Sequence, residues 1–177
     1  MTLASAIRLI ISDVDGVWTD GQIVYGDRIE IKSFNVRDGL AAKLAQRVGI
    51  RIALLTSRRS HAVERRAKEL GITELLQGAT NKLEETERLA QRLGVPLSHI
   101  LYIGDDLPDL APMTRVAISA APADAAAEVL AAATWKLESH GGRGAFRELV
   151  ERLLRERGDW DHLIREFASG RPEASSI

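Results

Sequence analysis

The stretch Arg8-Leu9-Ile10-Ile11-Ser12-Asp13-Val14-Asp15-Gly16 decides the fold. Its opening residues form a short, continuously apolar run, the pattern of a strand covered on both faces. Two carboxylates and a glycine follow at once, so this strand would deliver acidic groups to its carboxyl end. Working outward, Ile50–Thr56 (IRIALLT) and Ile100–Gly104 (ILYIG) repeat the pattern, and Glu74–Gln77, Val116–Ser119 and Thr134–Leu137 read as weaker strands. Helical periodicity fills the gaps at Asp38–Val48, Ser60–Leu70 and Asn81–Leu93, and these stretches stop at Gly49, Gly71 and Gly94. A last helix runs from near Ala145 to about Arg157. Short strands separated by helices predict an α/β fold with a mainly parallel sheet between two helical layers. Trp18–Phe34 breaks the rhythm with period-two alternation around Tyr25-Gly26-Asp27 and reads as a β-hairpin directly after the first strand. The 177 residues read as one domain, 1–177, closed by a polar tail over about 169–177.

Composition narrows the function. Hydrophobic residues make up 45% and charged residues 28% of the chain, enough for a buried core. With 24 Lys+Arg against 25 Asp+Glu, the net charge of -1 offers no electrostatic case for nucleic acid or an anionic membrane. The absence of cysteine excludes disulfides, thiolate catalysis and cysteine-bound zinc. No apolar run approaches the roughly 20 residues that cross a bilayer. The start lacks the pattern of an export signal, so a cytoplasmic setting is expected.

The chemistry clusters at strand ends. Side chains two apart on an extended strand share a face, so Asp13 and Asp15 are expected to converge if the strand persists that far, and like charges that close call for a cation or a proton. Thr56 and Arg58 follow the Ile50–Thr56 strand, where a hydroxyl and a guanidinium fork suit a phosphate oxygen. Lys82 opens a helix, a position where the helix dipole prefers acids. Asp105, Asp106 and Asp109 crowd five residues after another strand, and an all-oxygen cluster of this kind suits magnesium. Right-handed crossovers bring such strand ends to one edge of the sheet. Gly141-Gly142 reads either as an anion-binding turn or as a tight turn into the last helix. Trp18, Trp135 and Trp160 read as packing groups, with Trp18 also placed for the site mouth or a subunit contact.

Together these residues resemble the four motifs of the haloacid dehalogenase superfamily of phosphotransferases, matching Asp13/Asp15, Thr56, Lys82 and Asp105/Asp109 in order along nearly the whole chain. The resemblance implies a three-layer Rossmann-like core. The 43 positions from Asp13 to Thr56 and the 26 from Thr56 to Lys82 leave no room for the cap domain usual in that superfamily. A capless site would be open to water, so a large substrate or neighbouring subunits would have to close it.

Asp13–Gly21 (DVDGVWTDG), Phe34–Gly39 (FNVRDG), Gly104–Asp109 (GDDLPD) and Gly141–Glu148 (GGRGAFRE) resemble the 3-deoxy-D-manno-octulosonate 8-phosphate phosphatase family more specifically. That resemblance implies a Mg2+-dependent homotetramer in which neighbouring subunits close each site, acting on a small phosphorylated sugar acid in lipopolysaccharide synthesis. It implies Asp13 as nucleophile and metal ligand, Asp15 as metal ligand through its carbonyl and as general acid and base, and Asp105 as the third ligand. Asp106 and Asp109 would support them, and Thr56 and Lys82 would hold the transferring phosphoryl group. Asn35, Val36, Arg37, Asp38, Gly39, Arg58 and Arg66 match substrate-contacting positions, while Lys43 stands where the family has arginine. A phosphatase of another sugar acid, such as a nononate 9-phosphate, shares these motifs. A phosphorylatable receiver domain also gathers acids, Thr and Lys at one edge, but it expects its phosphoacceptor where this chain has Thr56.

Overall fold

The computed structural model describes residues 2–27 and 29–170. Its elements in chain order are α1 (Leu3–Ala6), β1 (Leu9–Ser12), β2 (Val24–Tyr25), β3 (Glu30–Ile31), α2 (Val36–Arg47), β4 (Arg51–Thr56), α3 (His61–Leu70), β5 (Glu74–Gln77) and α4 (Lys82–Leu93). They continue with β6 (Ile100–Ile103), α5 (Leu110–Met113), β7 (Ile118–Ala121), α6 (Ala127–Ala132), β8 (Trp135–Lys136), α7 (Ala145–Arg157) and α8 (Trp160–Ala168). Most of the expected polar tail, from 171 onward, lies outside the described residues.

Six strands form one sheet in the order β5-β4-β1-β6-β7-β8, and every neighbouring pair is parallel. The sheet begins at β1, builds outward through β4 to β5, then returns past β1 to add β6, β7 and β8. That reversal opens a crevice at the carboxyl ends of β1, β4 and β6, where open α/β sheets take their ligands. Ile10, Ile52, Leu54, Leu101 and Ile103 pack in one layer with residues of α2, α3 and α7. Leu9, Ile11, Leu55, Ile100 and Tyr102 pack in the other with residues of α4, α5 and α6. The period-two alternation of each strand thus feeds both cores. Only the hairpin lies between β1 and α2, and only α3 and β5 lie between β4 and α4, so no cap is inserted.

Helix ends follow the expected glycines, with Gly71 and Gly94 in the left-handed region at φ +69° and +64°. The structure departs from the expected boundaries at α2, β7 and the hairpin, and it adds α1, α6 and α8 to the expected helices. α2 starts at Val36 because the Asn35 side chain caps it, accepting from the Arg37 N–H at 2.8 Å. β7 lies two residues later than expected, since alanines carry strand pairing without a periodic signal. The hairpin ladder is shorter than 18–34, pairing Val24 with Ile31 and Tyr25 with Glu30. Trp18 sits outside it, 1% exposed, with its ring centroid 4.2 Å from that of Phe146 and its indole N–H donated to Ser12 Oγ at 2.9 Å. It is a core packing group and does not line a mouth or a subunit contact. No helix among the described residues is long and apolar enough to cross a membrane.

Candidate active site

β1 ends at Ser12, and the chain turns through Asp13–Gly16 with Gly16 at φ +88°. The Asp13 backbone N–H still reaches across to Ile103, donating to its carbonyl at 2.9 Å. Asp13 Oδ1 accepts the Val14 N–H at 2.7 Å, and Asp13 Oδ2 lies 2.8 Å from Lys82 Nζ. Lys82, the first residue of α4, is buried and also donates to Asp109 Oδ1 at 2.8 Å. The Tyr102 hydroxyl donates to the same Asp109 oxygen at 2.7 Å. Asp109 Oδ2 accepts the N–H groups of Asp105 and Asp106 at 3.3 and 3.4 Å. Asp106 caps the turn at Leu107–Asp109, which fixes this loop against β6.

Carboxylate oxygens of Asp13, Asp105 and Asp109 all lie within 4.8 Å of one another. Like charges about 4 Å apart repel by roughly 4 kcal/mol at an effective dielectric of about 20, so one ammonium does not balance three carboxylates. Burial, followed by repulsion from Asp109, pushes Asp13 up to about 6 against the pull of Lys82. Burial, followed by Asp13 and then Asp109, pushes Asp105 up to about 8. Burial alone would lower Lys82, but its two carboxylate partners outweigh that and hold it charged. The donor set is all oxygen, and Asp105 Oδ1 is buried without a hydrogen-bond partner. Gly16 closes the cradle, since a Cβ there would fall 1.9 Å from Asp105 Oδ2. These residues fit a hard divalent cation.

Thr56, at the end of β4, is 3% exposed and accepts the Arg58 N–H on its hydroxyl at 3.2 Å. Arg58 Nη2 donates to Glu30 Oε2 at 3.1 Å and to the Tyr25 hydroxyl at 3.2 Å, which ties the hairpin to the site. Asp13, Asp15, Thr56, Arg58, Lys82 and Asp105 line one cleft of about 270 Å³. The expected convergence of Asp13 and Asp15 is only partial. The strand stops at Ser12, so both line the cleft while Asp13 takes Lys82 and Asp15 takes Lys32 as its cation.

A family model of haloacid dehalogenase-like hydrolases matches residues 30–116. The 3-deoxy-D-manno-octulosonate 8-phosphate phosphatase of Salmonella typhi is 42% identical over 162 residues, covering 91% of this chain and 86% of the relative. The crystal structure of the phosphatase of that name from Yersinia pestis aligns with a TM-score of 0.88 and 41% identity, covering 90% of this chain and 86% of that one. The Moraxella catarrhalis enzyme, described in complex with magnesium ion, phosphate ion and a KDO molecule, aligns with a TM-score of 0.91 and 39% identity over 93% of this chain and 95% of that one. The chain belongs to the 3-deoxy-D-manno-octulosonate 8-phosphate phosphatase family of haloacid dehalogenase-like hydrolases.

Within this octulosonate phosphatase family member, the positions matched to substrate contact at and along α2, with Arg66 on α3, lie outside that cleft. None of Asn35, Val36, Arg37, Asp38, Gly39, Lys43 and Arg66 is among the residues lining the cleft. Asn35 caps α2, and Val36 is 78% exposed. Arg37 lines a separate groove along α7. Asp38 is fully buried against the start of α7. Gly39 leaves room for Arg66, whose Nη2 would meet a Cβ at 2.3 Å and donates to the Asn35 carbonyl at 3.4 Å. Lys43 lies further along α2. The Gly141-Gly142 N–H groups are spent on Asp124 Oδ1 and the Val17 carbonyl, so this segment is a tight turn. Sequence reasoning missed Lys32, whose side chain is fully buried against Asp15, and Tyr102, which reads as core in its strand. The alternation of Ile29–Lys32 gives two faces, and the structure turns the isoleucines out and the lysine in.

Proposed function

We propose that this protein hydrolyses the phosphomonoester of 3-deoxy-D-manno-octulosonate 8-phosphate with magnesium as its metal. The observation that carries the reading is the Lys82 ammonium between Asp13 and Asp109, with Asp105 within 4.8 Å, at the switch point of the sheet. Asp13, Asp105 and the backbone carbonyl of Asp15 would hold magnesium. When bound, the ion would supply positive charge that offsets the repulsion between a carboxylate nucleophile and a phosphate dianion. Asp13 attacks phosphorus, and the bond to the sugar oxygen breaks as Asp15 gives that oxygen a proton, leaving an aspartyl-phosphate. Asp15 then takes a proton from the water that attacks phosphorus, and Asp13 leaves as a carboxylate. Lys82, Thr56 and Arg58 hold the phosphoryl oxygens, so positioning and electrostatics lower the barrier.

We also propose a homotetramer in which neighbours complete each site. Two observations support it: the α2 residues matched to substrate contact lie outside the chain's own cleft, and the hairpin exposes Val24, Tyr25, Ile29 and Ile31 by 50–71%. The resemblance carries with it a cytoplasmic setting and a role in supplying octulosonate for lipopolysaccharide. Phosphate release across a panel of sugar phosphates, with and without magnesium, tests the reading. Preference for octulosonate 8-phosphate supports it. Preference for a nononate 9-phosphate moves the substrate, and activity that ignores magnesium overturns the mechanism.

A further inference from the structure

Lys32 follows β3, and its side chain is fully buried, which is rare for lysine unless it is paired. Its ammonium contacts Asp15 Oδ1 and lies 3.9 Å from Glu30 Oε1, and Glu30 in turn holds Arg58. The Thr19 hydroxyl donates to the same Asp15 oxygen at 3.4 Å. Among the described residues, the hydrogen bonds of the Asp15 side chain all fall on Oδ1.

We infer that Lys32 is a positioning residue for proton transfer to the leaving group, acting through Asp15. The inference rests on the reading of Asp15 as proton donor. An ammonium has only donors, so a carboxyl oxygen that faces it does not also carry a proton toward it. Lys32 therefore reserves Oδ1, assigns the transferable proton to Oδ2, and fixes the rotation of the carboxyl group in the cleft. The arrangement parallels a carboxylate that holds a histidine in one tautomer, with the roles of donor and acceptor exchanged. The hairpin thereby reaches the chemistry through a buried contact as well as through the exposed Arg58.

Leaving-group dependence tests this. An alkyl sugar phosphate needs its departing oxygen protonated, whereas p-nitrophenyl phosphate departs as a stable anion. Lys32→Met is expected to lower kcat/KM on the best alkyl substrate of the panel by about 10- to 100-fold, a part of the range for a general acid, and on p-nitrophenyl phosphate by less than about 3-fold. Lys32→Arg should restore most of the difference. The ratio of the two activities is read within one sample, so it is insensitive to the fraction of folded protein. Lys32→Gln gives the same readout if the methionine variant does not fold. Equal losses on both esters overturn the inference. Asp15→Asn separates the two layers: if it too shows no leaving-group dependence, the reading of Asp15 fails, and if it alone does, only the role of Lys32 fails.

Discussion

The Asp38 carboxylate accepts the backbone N–H of Arg147 at 2.7 Å, joining residues 109 positions apart. The N-cap of α7 is Gly144, which brings no side chain to cap the helix, and Asp38 from the first turn of α2 supplies that cap. A carboxylate at a helix start gains from the dipole, yet Asp38 is 0% exposed and burial wins, pushing it up to about 6.

A pH-dependent stability follows. Between the ordinary value of 3.8 and about 6, folded Asp38 keeps a proton that the unfolded chain has released. Stability therefore falls as pH rises through that window, by at most about 3 kcal/mol. Asp38→Asn keeps an acceptor for Arg147 and removes the charge. It should match the parent near pH 4 and exceed it at pH 7.5, as measured by urea denaturation. Asp38→Ala, which removes the charge but also the cap, should be weaker than Asp38→Asn at both pH values by about 1–2 kcal/mol. An asparagine variant whose advantage does not grow with pH contradicts the assignment.

Asp38 also marks the limit of what the sequence reveals. Its partner is 109 residues away, and no local pattern connects α2 to α7. The strands of the core were legible because Leu9–Ser12, Arg51–Thr56 and Ile100–Ile103 are buried on both faces and read as apolar runs. α6 was not, because the alanines around Ala127–Ala132 give no apolar stripe. The acids and Lys82 were legible by their places after strands and at a helix start. Lys32 was hidden because alternation in the hairpin gives two faces without saying which one the core takes, and here the apolar face points outward.

Asp13→Asn should reduce turnover below about 1% of the parent, since an essential nucleophile contributes orders of magnitude. The same change relieves repulsion among Asp13, Asp105 and Asp109. The variant should therefore melt no lower than the parent when no metal is added, a trade between stability and activity expected of such sites. Retained turnover in clean protein would remove Asp13 from its role.

Gly16→Ala addresses the metal. Its Cβ would lie 1.9 Å from Asp105 Oδ2 at a φ of +88°, so Asp105 must move. Magnesium affinity by calorimetry should fall by at least 10-fold, roughly 1.4 kcal/mol. Gly49→Ala is the control: its φ is +81°, but nothing lies within 4 Å of a Cβ there. It carries a similar backbone strain of about 1–2 kcal/mol and should leave magnesium affinity as it was. Equal effects at the two glycines would mean that strain, rather than contact with Asp105, governs the site.

The hairpin tests the assembly. Val24 and Ile31 face each other across the ladder and are 52% and 50% exposed, so replacing them alters little within one chain. Val24→Glu with Ile31→Lys preserves an attractive pair across the ladder while charging the outward apolar face. Sedimentation should move from tetramer to monomer. The folded monomer should lose activity on the sugar-acid phosphate more than on p-nitrophenyl phosphate, because only the larger substrate needs neighbours to close over it. A monomer that keeps full activity on the sugar acid would show that one chain suffices, and an unchanged tetramer would show that the hairpin face is not where the copies meet.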